Sequence, residues 1–100
     1  MNKGESMEKI RVESPAALAQ LIRNTRDEIL VLARDIHRDA FDFVFSKAIG
    51  SEDEELYALQ KKISQKKNKF INLVSEKYDF DFELSRADWF NEVIMPATKI

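Results

Sequence analysis

The chain has no cysteine, one histidine, two glycines and two prolines among its 100 residues. Without thiols, disulfides, thiolate metal sites, cysteine nucleophiles and dithiol redox chemistry are all excluded. A single histidine excludes a two-histidine metal site or zinc-protease motif within one chain. No apolar run approaches the length of a membrane span, and the first residues lack the apolar core of a secretory signal. The expectation is therefore a cytoplasmic protein with no membrane association. With so few glycines and prolines, long stretches have nothing to interrupt a helix.

What is present fits one folded domain. Hydrophobic residues make up 44% and charged residues 34%, with a net charge of -2. That composition favours a packed chain over a disordered one. At this size a monomer buries only about two thirds of its extended surface, so the core is modest and oligomerisation is plausible.

The chain reads as all-α. Residues 1–13 form a flexible or extended lead-in, with faint strand alternation at Ile10 and Val12. Ser14-Pro15 is a helix start: the serine can cap orphan N–H groups, and proline at the first helical position sacrifices no bond. From there to Ile49 no proline or glycine intervenes. Leu18, Ile22, Thr25, Ile29, Leu32, Ile36 and Phe43 recur at spacings of four and three, which predicts one long amphipathic helix over 15–49. Asn24-Thr25 and Asp39 are its weak points. Asp39 falls on the apolar seam, and the pattern is expected to slip there to Ala40 and Val44, leaving Asp39 outside.

Gly50 stops this helix. Ser51 with Glu54 then offers a capping box for a second helix over 52–77, striped by Leu56, Leu59, Ile63, Phe70, Leu73 and Val74. So short a turn makes the two helices an antiparallel hairpin. Residues 78–84 alternate apolar and acidic and read as a connector that packs Tyr78, Phe80 and Phe82 inward. Ser85 with Asp88 opens a short third helix over 86–94, closed by Pro96, with Trp89 at its edge; 97–100 form a tail. The expected domain is thus a long antiparallel hairpin over 14–96 with a short helix across it, able to form a four-helix bundle by dimerisation.

Charge is segregated along the chain. Residues 51–60 carry four acids and no base, whereas 61–77 carry six lysines against Glu76. Lys61, Lys62, Lys66, Lys67 and Lys69 read first as a solvated helix face, and otherwise as a patch for an anionic partner, acidic protein or nucleic acid. Nucleic acid is not favoured, because the chain is acidic overall and shows no recognition motif or exposed stacking aromatics beside the lysines. Asp35, Asp39 and Asp42 share one side of the first helix. They lack the Glu-x-x-His partners that bundle metal sites require, so neither metal nor cofactor is expected. Arg23–Asp27 and Arg38–Asp42 are spaced as i,i+4 ion pairs. His37 has no carboxylate at helical spacing to orient it as a base and reads as a boundary residue.

Arginines along a long first helix resemble, in gross layout, the helical chorismate mutases, which bind a dianion through arginines and a lysine. None of that family's binding residues can be placed on this chain, and an enzyme is the least favoured reading. The aromatics say more. Phe41, Phe43 and Phe45, with Val44, make the end of the first helix apolar nearly all round, which a lone hairpin cannot cover. Either Trp89 and Phe90 wrap it or another chain does. The expected function is a small non-catalytic interaction or regulatory module working through helix faces, with itself or another protein as partner.

Overall fold

The computed structural model describes residues 9–99. The part of the N-terminal lead-in before Lys9, and Ile100 of the expected tail, lie outside the described residues. The described chain is mostly helical, and its order is β1 (Ile10–Arg11), α1 (Pro15–Thr25), α2 (Glu28–Ala48), α3 (Asp53–Lys77), β2 (Tyr78–Asp79) and a C-terminal helical run. In that run α4 (Arg86–Asp88) passes into a π-helical stretch (Trp89–Ile94) and then α5 (Met95–Thr98).

The first helix is two helices. Its start follows the sequence: Ser14 Oγ accepts from the Ala17 amide at 3.1 Å, with Pro15 in the first turn. At Arg26, however, the backbone turns left-handed (φ 58, ψ 38), and Asp27 caps a new helix by accepting from the Ile29 amide at 2.9 Å. The capping carboxylate supplies what a continuous helix could not, a partner for an N–H freed by the break. Lys77 Nζ donates to the same carboxylate and ties the break to the end of α3. Asp27 is therefore not paired with Arg23. Burial pushes its carboxyl up, but the bonds from Lys77 and the Ile29 amide outweigh this and hold it below the ordinary carboxylate range.

Gly50 closes α2 in the left-handed region (φ 82). Its amide donates to the Lys47 carbonyl at 3.2 Å, and the Ser51 amide to the Ser46 carbonyl at 2.9 Å. This paired closure is a Schellman motif. It consumes Ser51, so the expected Ser51–Glu54 capping box does not form; Glu52 becomes the N-cap, without a side-chain bond, and α3 begins at Asp53. The Ser85–Asp88 cap does form, with Ser85 Oγ accepting from the Asp88 amide at 3.1 Å.

Pro96 does not end the last helix, which runs to Thr98. A proline ring clashes with the carbonyl four residues back in α geometry. Here the turns before it are widened, with the Met95 amide reaching the Phe90 carbonyl five residues back. Residues 10–11 and 78–79 pair as two short parallel strands, and the Val12 amide donates to the Asp79 carbonyl at 2.9 Å. Arg11 straps the pair from outside through Glu13, Asp79 and Asp81.

The core lies at one end of a molecule 55 × 24 × 23 Å in extent. Leu18, Ile22, Ile36, Phe70, Val74, Tyr78, Val93 and Ile94 are fully buried there, where α1 and the C-terminal run pack against the hairpin of α2 and α3. Trp89 is a core residue, 5% exposed, and not at the edge. The 78–84 connector folds back so that Phe80 lies edge-on to the Trp89 ring at 5.7 Å, while Phe70 meets it from α3 at 6.2 Å.

Candidate interaction surface

The core stops at an ion cluster. Asp39, on the inner face of α2, is 4% exposed. Its carboxylate accepts from Lys66 Nζ of α3 at 2.6 Å, and Asp35 one turn earlier takes the same ammonium at 2.7 Å. The expected slip that would leave Asp39 outside does not occur. The helix keeps its register because a lysine from the facing helix neutralises the seam carboxylate. The hydrogen bond from Lys66 holds Asp35 below the ordinary carboxylate range, and the two carboxylates hold Lys66 above the ordinary lysine value. Arg38 pairs with Asp35 and not with Asp42.

Beyond this cluster the hairpin is bare. From Ala40 to Lys62 no residue is buried. Ala40, Phe43, Leu56 and Leu59 are half-buried along the seam between the helices. Phe41, Val44, Phe45 and Ile49 on α2 and its C-cap, with Tyr57 on α3, are 58–69% exposed. The C-terminal run reaches only to the foot of this tip. Met95 and Phe90 border a shallow concavity with His37, Ala40, Phe41 and Val44.

The sequence-derived interface residues therefore separate. Phe41, Val44 and Phe45 lie together on the open surface, Phe43 turns to the seam, Phe90 is half-buried at the foot, and Trp89 belongs to the core. Ile49 belongs to the apolar end of the first helix that the sequence shows, whereas Tyr57 is not singled out by the sequence. Ile49 sits at the close of α2, and Tyr57 shows only once the face of α3 turned to Leu56, Leu59 and Ile63 is known.

The lysine patch is divided as well. Lys66 is committed to Asp35 and Asp39. Lys67 is half-buried with its ammonium 5.3 Å from the Phe90 ring centre, and burial, then the nearby Arg86 charge, lower its pKa. Lys61, Lys62 and Lys69 are exposed.

His37 Nδ1 lies 2.9 Å from Thr98 Oγ1. The Thr98 hydroxyl also reaches the Ile94 carbonyl at 3.0 Å and the Met95 carbonyl at 3.1 Å. With its ring edge-on to Phe90 at 6.2 Å, His37 fastens the C-terminal run to α2. Among the described residues no three His, Asp or Glu side chains gather as around a metal ion, and no helix is long and apolar enough to cross a membrane.

Comparison of the chain with protein-family models, with curated proteins and with solved structures gives no match.

Proposed function

We propose that this chain is a small non-catalytic interaction module, and that its working surface is the bare tip of the α2–α3 hairpin, through which it self-associates. One observation carries the reading: 23 consecutive residues, from Ala40 to Lys62, include none that is buried, yet they hold five large apolar side chains more than half exposed. Contiguous exposed apolar surface of this kind marks an interaction site in a stable protein. Among the described residues no third element covers the two-helix tip, and a second chain covers its exposed apolar face.

The magnitudes support association. Covering the exposed part of Phe41 or Phe45 returns about 1–2 kcal/mol per ring. Two rings from each of two copies return about 4–8 kcal/mol, which meets the lower part of an association cost of about 4–15 kcal/mol, and neighbouring apolar side chains add to it.

Amide hydrogen exchange at two protein concentrations tests this. Amides between Phe41 and Leu59 are expected to exchange more slowly at high concentration, while those around Ile22, Phe70 and Ile94 stay unchanged. Equal exchange in the tip at both concentrations, over a range spanning the low micromolar and the millimolar, would remove the reading. The alternative, a nucleic-acid-associated protein, rests on the exposed Lys61, Lys62 and Lys69. It predicts binding to a random DNA duplex that weakens steeply as salt rises and is lost in Lys62→Glu/Lys69→Glu.

A further inference from the structure

The outward face of α2 carries a pattern that its inner seam hides. Arg34, Arg38, Phe41, Phe45 and Ala48 recur at spacings of four, three, four and three, and all five are exposed. Four residues further in sequence, past the end of α2 at Ala48 and the left-handed Gly50, Glu52 is exposed in the turn at the tip. This is the heptad spacing of a helix–helix seam, but it lies on the side of α2 turned away from α3. Read from the core outward, it is basic, then aromatic, then small, then acidic. Three further acids, Asp53, Glu54 and Glu55, follow Glu52.

A stripe with this polarity complements its own reverse. If two copies lie antiparallel about a twofold axis level with Phe43, Phe41 of each chain faces the partner's Phe45, and Arg38 faces the partner's Ala48. Arg34 then meets the partner's Glu52 and its acidic neighbours. A parallel pairing sets the arginines of one copy against those of the other and the two acidic turns side by side. Like charges brought together in this way oppose association, whereas the antiparallel pairing makes the same groups attract. Both arginines line a concavity with His37, Phe41 and Thr98 that can receive the acidic turn.

We propose that the chain forms an antiparallel homodimer along this outer stripe of α2, its orientation set by Arg34 and Arg38 of one copy receiving the acidic turn of the other. The proposal rests on the tip being the self-association surface, and adds to it the face and the direction.

The absence of native cysteine makes the test clean. Arg38→Cys and Ala48→Cys are prepared separately, both at exposed positions, and oxidised mildly alone and as an equimolar mixture, with solution mass measured on the reduced proteins. A disulfide requires Cα atoms about 4.4–6.8 Å apart. In the antiparallel dimer, two Ala48 positions lie about 15 Å apart along the axis, at about 1.5 Å per residue. The expected result is a dimeric mass, a cross-linked species in the mixture and none from either variant alone. Cross-linking of Ala48→Cys alone would establish a parallel pair and overturn the orientation while keeping the tip as interface. A dimeric mass with no cross-link in any sample would place the interface on another face. Monomers throughout would remove the self-association reading itself.

Charge reversal gives a second readout. Arg34→Glu/Arg38→Glu should weaken association about tenfold at low salt, as expected for about 1.4 kcal/mol of lost attraction across the interface. Mixing that variant with Glu52→Lys/Glu54→Lys should restore it. No weakening, or no restoration, would refute the role given to the charges.

Discussion

Replacing Lys66 by methionine keeps the apolar stem and removes the ammonium that closes the core. Asp39, 4% exposed, then loses the lysine it is paired with and stands one helical turn from Asp35. Breaking a buried ion pair by removing one partner costs about 3–5 kcal/mol. Here the Lys66 side chain is 22% exposed and Asp35 29%. Water reaches that side of the cluster, so the expected cost falls below that range, to about 2–3 kcal/mol. For a domain of this size that lowers Tm by roughly 10 °C or somewhat more. Urea denaturation at one fixed protein concentration measures it, since association is linked to stability.

Two further arms separate this cause from simple loss of packing. The double variant Lys66→Met/Asp39→Leu removes the stranded charge with its partner and should return to within about 1 kcal/mol of the parent, because a well-packed apolar pair can replace a buried ion pair. The cost of Lys66→Met should also shrink as pH falls through the acid range, since Lys66 holds Asp35 below the ordinary carboxylate range and that contribution is lost once Asp35 protonates. A single-variant cost under about 0.5 kcal/mol, or a double variant as unstable as the single one, would refute the reasoning.

Arg26→Gly should stabilise the protein by about 0.5–1 kcal/mol, because the left-handed backbone there is strained for any side chain and free for glycine; destabilisation in urea would mean that the Arg26 side chain is needed. Tyr78→Phe should be neutral or slightly stabilising, since the buried hydroxyl has no hydrogen-bond partner among the described residues; a loss above about 1 kcal/mol would point to a bond the geometry does not show. Stability should fall at both ends of the pH range. The lowered Asp27 and Asp35 contribute stability that is present above the ordinary carboxylate range and is lost as pH drops through their folded values. The raised Lys66 and Lys77 contribute stability that is present below the ordinary lysine value and is lost as pH rises through theirs. Thermal melts across pH check both limbs, and a profile flat at either end would contradict the pairings.

Much of the architecture was legible because its signals are local. Ser14-Pro15, Gly50 and Ser85 each act within four residues, and each does what its chemistry requires. The weak point at Asn24-Thr25 is where α1 ends, but the left-handed turn at Arg26 is harder to read, because arginine is not a left-handed signal and the informative Asp27 also reads as half of an i,i+4 pair with Arg23. Asp39 was misplaced for a different reason. Its partner lies 27 residues away on another helix, so a carboxylate on an apolar seam looks like a mismatch until the lysine interrupting the stripe of α3 is set opposite it.

The surface followed the same rule. Phe41, Val44 and Phe45 were identifiable because no single hairpin could cover them. Trp89 was not separable from them, since its burial depends on how the connector from Tyr78 to Leu84 folds back. The outer stripe from Arg34 to Glu52 is regular in sequence, yet it becomes meaningful only once the inner face of α2 is assigned to α3.

Absolute mass in solution, by light scattering behind a sizing column from the low micromolar to the millimolar range, tests the central claim most directly. The account predicts a species at twice the chain mass of 11.7 kDa, returning to 11.7 kDa when Phe41 and Phe45 are both changed to serine. A parent chain that stays at 11.7 kDa at every concentration would contradict it.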